Sequence, residues 1–304
     1  MSDSYWNRRD VLGASLTLGL APALAFSETG KMQTRIIPQS KESLPVIGLG
    51  TYQVFDIAGS GEEMELRREI VDLLAANGGS LIDSSPMYDR SEKIVGDIVE
   101  AGGHRDQFFL ATKVWTNGKS AGETQMARSA ELLKADTIDL MQVHNLRDVD
   151  VHMPTIRQWQ ADGRIRYNGL THYTAGAHRA LARAMEDHKP EFIQINYSLG
   201  EREVEARVLP MAEDLGIAVL VNRPFMAGRL FRAVRDRQLP DWATEFADSW
   251  GQFFLKFIVS HPAVTCVIPA TSKPQHMADN LGAGFGVMPD NEMRQKMAAF
   301  WNTL

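Results

Sequence analysis

The chain is predicted to be an α/β protein built as one (β/α)8 TIM barrel, a single domain with an N-terminal β-hairpin capping the barrel bottom. Three observations lead there. From about Val46 onward, eight short apolar runs alternate with helical stretches. Each run is bounded by glycine or polar turns, as expected for parallel strands buried on both faces. No G-x-G-x-x-G follows the first run, as a doubly wound dinucleotide-binding sheet would require, so closure into a barrel is the simpler outcome.

The hairpin comes first, over Thr34 to Pro45, turning around Ser40-Lys41-Glu42-Ser43. The strands follow as Val46 to Gly50, Ser80 to Ser84, Phe108 to Lys113, Ile138 to His144, Tyr167 to Thr171, Phe192 to Asn196, Ala218 to Asn222 and Thr265 to Pro269. Between them, Glu62 to Ala76, Ala121 to Lys134, Ala175 to Asp187 and Glu203 to Leu215 repeat apolar residues near helical spacing, with charges on the other face. A last helix is expected over Asn291 to Trp301, with no long C-terminal loop after it to narrow the barrel mouth. No Ser/Pro-rich linker or like-charge block interrupts the series, which is why one domain is expected.

Composition narrows the function classes. With 44% apolar and 23% charged residues over 304, the chain has the makings of a globular protein with a large core. A formal net charge of −6 argues against a nucleic-acid partner and fits a small substrate without strong charge. Cys266 is the only cysteine, so neither an internal disulfide nor a cysteine zinc cluster can form, and no metal is expected.

The first residues differ in kind. Arg8-Arg9, within Asn7-Arg8-Arg9-Asp10-Val11-Leu12, precede an uncharged run from Val11 to Ala25 that ends in Ala23-Leu24-Ala25. That run is shorter than the ~20 residues of a membrane span and ends as a signal-peptidase site does. It resembles a twin-arginine (Tat) signal, which directs export of folded, cofactor-loaded proteins. The expectation is a signal peptide over residues 1–25, a barrel over 26–304, and a periplasmic mature protein exported by the Tat machinery, with no stable membrane span after cleavage.

Barrel enzymes carry their reactive groups at the C-terminal ends of the strands. There, Asp83 ends the second predicted strand, Tyr88 follows it, Lys113 ends the third and His144 the fourth. The strings Leu81-Ile82-Asp83-Ser84-Ser85-Pro86-Met87-Tyr88, Ala111-Thr112-Lys113-Val114-Trp115 and Gln142-Val143-His144 resemble the active-site blocks of the aldo-keto reductase family, and the similarity runs from Pro45 to Asn280. The resemblance implies a catalytic tetrad of Asp83, Tyr88, Lys113 and His144 that reduces an aldehyde or ketone. Hydride transfer builds negative charge on the carbonyl oxygen, so an acid must stand within reach, and Tyr88 has that role. Lys113 would bring the phenol towards working pH, Asp83 would hold the buried ammonium, and a neutral His144 would orient the carbonyl. His104, His152, His178, His188 and His261 read as surface residues.

The same resemblance implies an NADP(H) site, with NAD(H) as a second cofactor it could take. Gln194, in Phe192-Ile193-Gln194-Ile195-Asn196-Tyr197, matches the glutamine that holds the nicotinamide carboxamide. Thr171 and His172 stand where the family has Ser-Asn, and Asn222 where it has a stacking tyrosine. Arg223 would then reach a phosphate or the substrate. The block Ile268 to Asn280 resembles the adenosine 2′-phosphate site, but Ala270 and His276 replace its basic pair, which leaves Thr271, Ser272 and Lys273 to grip the phosphate. Asp279 and Asn280 match the adenine contacts. Tyr52, Trp115 and Phe225 are expected as apolar pocket walls, and a monomer is the family default. Two readings from other classes stay open at this stage: a cofactor-binding regulatory subunit, as in channel β subunits, and a periplasmic binding protein for a sugar-like ligand.

Overall fold

A computed structural model describes residues 30–304 except residue 104. The signal expected over residues 1–25, with Arg8-Arg9 and the Ala23-Leu24-Ala25 end, lies outside the described residues, as does His104. Strands β1 (Thr34–Ile36) and β2 (Ser43–Pro45) form the antiparallel hairpin. Eight further strands pair in parallel and in chain order: β3 (Leu49–Gly50), β4 (Leu81–Asp83), β5 (Phe109–Val114), β6 (Ile138–His144), β7 (Ile165–Thr171), β8 (Phe192–Asn196), β9 (Ala218–Asn222) and β10 (Cys266–Val267). Single parallel bridges, Ile47 to Val267 and Gly50 to Ala270, join the last strand to the first.

That seam explains why its two strands are shorter than the sequence predicts. Gly48 N donates to Val267 O at 2.9 Å and Gly50 N to Pro269 O at 3.1 Å. A Cβ on Gly48 would sit 2.8 Å from Leu81 O, and one on Gly50 would sit 2.8 Å from Ile268 O. The close approach of backbones that glycine permits closes the ring but leaves little regular ladder there.

Helices α1 (Gly61–Ala76), α2 (Ser91–Gly102), α3 (Lys119–Leu133), α4 (Val149–Ala161), α5 (His178–His188) and α6 (Val208–Asp214) follow β3 to β8 in turn. The short α7 (Arg229–Ala233) and α8 (Trp250–Val259) follow β9, α9 (Pro274–Gly282) follows β10, and α10 (Asn291–Trp301) closes the series. Two expected helices begin late, because 3-10 turns at Ala175–Ala177 and Glu203–Ala206 precede α5 and α6. Pro210 has no N–H to donate, so it suits only the first turn of a helix, and α6 starts at Val208 accordingly. Among the described residues no helix is long and apolar enough to cross a membrane.

Strand alternation sorts the side chains into two packed sets. Ile82, Leu110, Met141, Val143, Ile193, Val219 and Val221 face outward into the main core that includes the helices. Leu81, Phe109, Leu140, Tyr167, Phe192, Ala218 and Leu220 fill the barrel interior together with Ile37 and Leu44 of the hairpin, so the hairpin plugs the bottom as expected. Tyr167 also donates to Glu42 at 2.6 Å, tying the plug to β7. Continuing the same inward phase upward gives Asp83, Lys113, Gln142, His144, Thr171, Gln194 and Asn222. The barrel is apolar below and polar at its C-terminal mouth.

Candidate active site

Asp83 and His144 end strands β4 and β6, and Lys113 stands one residue before the end of β5 between them, where register sets Asp83 beside Ala111 and Lys113 beside Gln142. Tyr88 comes from the β4–α2 loop, which turns sharply enough for Tyr88 N to donate to Ser85 O at 2.9 Å. The four side chains the sequence singles out therefore meet at one mouth.

Lys113 is fully buried. Its Nζ donates to Asp83 Oδ2 and to Ser84 O, both at 2.6 Å, and lies 4.8 Å from the centroid of the Tyr88 ring. With two of its three N–H groups committed, the third is left for the phenol side. Burial by itself would lower the Lys113 pKa, but the nearby Asp83 and Tyr88 oxygens outweigh it and hold it above the ordinary lysine value. The ammonium stays charged.

Tyr88 departs from expectation in one respect. Burial pushes its phenol above the usual range; Lys113 pulls it back and Asp83 pushes it up further, for a net rise. Lys113 thus acts in the expected direction without bringing the phenol to working pH, because loss of water is the larger effect. The hydroxyl keeps its proton at ordinary pH.

His144 is neutral. Burial, then the Lys113 charge, then His172 push its pKa down to about 2. Its Nδ1 lies 3.0 Å from Ser85 Oγ, which already accepts from Met87 N at 3.3 Å. With the Ser85 hydroxyl donating to Nδ1, the tautomer carrying its hydrogen on Nε2 is able to donate from there. The Tyr88 and His144 rings meet edge-on, 5.9 Å apart at 83°. Tyr52, half exposed, packs 5.0 Å from the Tyr88 ring, and Trp115 lies 6.4 Å from His144, so both expected walls flank the pair. Phe225 does not join them. Its ring sits 4.8 Å from Phe231, in a cluster that continues to Phe254.

The amides beneath the tetrad form a network that the sequence left largely unassigned. Gln142, fully buried, donates to Asp83 Oδ1 at 3.1 Å. Gln194 donates to the same oxygen at 2.7 Å and to Gln142 Oε1 at 3.3 Å. Gln194 Oε1 accepts from Thr171 Oγ1 and Asn222 Nδ2, each at 3.3 Å. Gln194, expected to hold a carboxamide, engages both ends of its amide with these neighbours. Gln142 had a readable signal, standing two residues before His144 on one strand and so on the same face.

Around the rim, His172 Nδ1 accepts from Tyr173 N at 3.0 Å and Thr174 N at 3.3 Å, and burial lowers its pKa. Arg223 is exposed, with φ 53° and its guanidinium 5.7 Å from the Tyr173 ring. After β10, Thr271 Oγ1 accepts from Lys273 N at 3.1 Å and so shapes the turn into α9. Arg67, which the sequence did not flag, ties that turn to the β3 loop, donating to Val54 O at 2.6 Å and Ser272 O at 3.3 Å. Lys273 and His276 are exposed at the start of α9, and Asn280 is buried. Asp279 is engaged at the start of α8, accepting from Ser249 Oγ at 2.8 Å and Gln252 Nε2 at 3.1 Å.

The surface reading fails outright for His152, while His178, His188 and His261 are half-buried. His152 is fully buried, with Nε2 2.8 Å from Thr116 O. His178 reaches Asn196 Oδ1 at 3.1 Å, His188 pairs with Asp150 at 3.0 Å, and His261, edge-on to Tyr197, is pushed by burial to about 4. Each fills a local structural role away from the tetrad.

Comparison with known proteins supplies the family and matches the fold. The profile of the Aldo/keto reductase family matches residues 46–299. The chain is 25% identical over 307 residues to the aldo-keto reductase str7 of Strobilurus tenacellus, covering 86% of this chain and 90% of that protein. It is 27% identical to the methylglyoxal reductase YeaE of Escherichia coli, over 82% of this chain and 89% of the relative. Among solved structures, an aldo/keto reductase from Klebsiella pneumoniae in complex with NADP and acetate superposes with a TM-score of 0.76 at 24% identity, covering 90% of this chain and 96% of that one.

Proposed function

Because the chain belongs to the aldo/keto reductase family, we propose that it reduces an aldehyde or ketone to an alcohol, with NADPH as hydride donor and Tyr88 as proton donor. One observation carries the reading: a buried, charged Lys113, held by Asp83, lies beside a protonated Tyr88 that faces a neutral His144. When bound, the cofactor supplies the hydride that adds to the carbonyl carbon. His144 Nε2–H and the Tyr88 hydroxyl both donate to the carbonyl oxygen, polarising it and fixing its position. As the C=O π pair moves onto oxygen, Tyr88 transfers its proton there and Lys113 stabilises the phenolate left behind. Tyr52 and Trp115 limit water at the mouth.

The residues present fit a nicotinamide cofactor. Thr171, Gln194 and Asn222 supply a rim of hydroxyl and amide groups beside the tetrad, and Asn222 Oδ1 is buried without a partner. The N-terminus of α9, with Lys273 exposed, suits a phosphate. Weak basic character there leaves room for NAD(H) beside NADP(H). Methylglyoxal is the first carbonyl to try, given the relative in Escherichia coli. Loss of nicotinamide absorbance with methylglyoxal and a panel of aldehydes tests the activity. Cofactor binding without turnover on any of them would favour a regulatory subunit instead.

The same proposal includes export. Arg8-Arg9, the uncharged run and the Ala-Leu-Ala end support a periplasmic mature protein beginning near Phe26, delivered folded through the Tat machinery, and the family resemblance supports a monomer. Replacing both arginines by lysine should trap it in the cytoplasm. Full-length protein confined to the cytoplasm of the native host would overturn the export reading.

A further inference from the structure

The amides at the barrel mouth are oriented in series by one carboxylate. Asp83, paired through Oδ2 with Lys113, offers Oδ1 only as an acceptor, so Gln142 and Gln194 must both turn their Nε2 towards it. Gln194 Oε1 then points the other way, to Thr171 Oγ1 and Asn222. Asn222 must answer that oxygen with its own Nδ2, which also donates to His172 O at 3.2 Å. Flipping the Asn222 amide would set its oxygen against two acceptors. The series therefore ends on Asn222 Oδ1, which is buried and has no partner. Among the described residues it is the one buried side-chain polar atom on a strand left in that condition.

Such an atom costs free energy unless a donor meets it in use. Asn222 continues the inward phase of Ala218 and Leu220, so it faces the same mouth as the tetrad. An asparagine cannot hold a nicotinamide ring by stacking, but it can hold the ring's carboxamide, whose NH2 is a donor. We propose that Asn222 Oδ1 accepts a hydrogen bond from the nicotinamide carboxamide, and that Gln194 is a positioning residue that fixes the Asn222 amide from below. The inference rests on the nicotinamide-cofactor reading above. Access to the atom requires the side chains at the mouth to part.

The test measures binding, not turnover. Quenching of protein fluorescence is titrated with NADP+ and with its 3-acetylpyridine analogue, in which a methyl replaces the carboxamide NH2. Wild type should bind the analogue about tenfold more weakly, the scale of one buried hydrogen bond. Asn222→Leu, and Asn222→Ala should the larger residue fail to fold, should bind the two dinucleotides equally. A preference for NADP+ that survives in either folded variant overturns the assignment, as does equal binding of both dinucleotides by wild type. If wild type binds neither, the cofactor reading itself fails and this inference falls with it.

Discussion

Lys113 Nζ lies 2.6 Å from Asp83 Oδ2, and both side chains are closed off from solvent. A buried ion pair of this kind adds little over an apolar pair of the same volume, but removing one partner strands a charge in the core. Asp83→Asn should therefore destabilise the fold by about 3–5 kcal/mol, read as a lower midpoint in urea. Combining Lys113→Met with Asp83→Asn, which keeps an acceptor for Gln142 and Gln194, should recover much of that loss while leaving the protein inactive. A single Asp83→Asn variant of wild-type stability would mean that Lys113 finds another partner.

Tyr88→Phe keeps the ring and its packing against Tyr52 and His144, so folding and cofactor affinity should survive. Turnover should fall by about 10² to 10⁴, the usual contribution of a positioned general acid, and it should fall in single-turnover experiments with the cofactor already bound. The wild-type pH profile carries a further check. With the phenol held above its ordinary value of 10.0, reduction needs no ionisation of Tyr88 and should stay level until the pH passes 10 before declining. Aldehyde reduction by Tyr88→Phe at near wild-type rate would remove Tyr88 from its role.

What the sequence made legible follows from what is local. The strands of the barrel's middle were readable because each is a continuous apolar run, whereas the seam strands were over-extended because Gly48 and Gly50 keep apolar neighbours while breaking the ladder. Asp83, Tyr88, Lys113 and His144 could be named because strand ends are visible in one dimension. The network joining Asp83, Gln142, Gln194, Thr171 and Asn222 could not, since it spans β4, β6, β7, β8 and β9 and exists only once the ring is closed. The buried His152 was misread for a related reason: it packs against Gly122 of α3, a contact that no helical period announces.

His144 gives stability an acid limb. Burial holds its pKa at about 2 against an ordinary 6.5, so between those values the unfolded chain binds a proton that the folded protein refuses. Stability on this account is complete above pH 6.5 and falls as pH drops below it, by up to about 1.4 kcal/mol per unit. His144→Gln, which cannot titrate, should show a shallower fall between pH 6.5 and 5 when urea midpoints are compared with wild type. Parallel curves for the two proteins would show that the imidazole is already solvated in the native state.

Cofactor discrimination is the least conventional feature, because Ala270 and His276 stand where the resemblance calls for basic residues. Thr271 spends its hydroxyl on the Lys273 backbone, and Arg67 is buried, with Nε and Nη1 turned to Val54 O and Ser272 O. Ser272 and Lys273 remain, and Lys273 carries the charge: an exposed ammonium at the N-cap of α9, at the positive end of that helix. Being exposed, its charge is screened, and its contribution should be modest. Lys273→Ala should weaken NADPH binding by roughly three- to tenfold, with NADH affinity nearly unchanged, and the difference between variant and wild type should shrink as salt is raised. Equal losses for the two cofactors would place the 2′-phosphate away from α9; no loss for either would make the helix terminus alone sufficient.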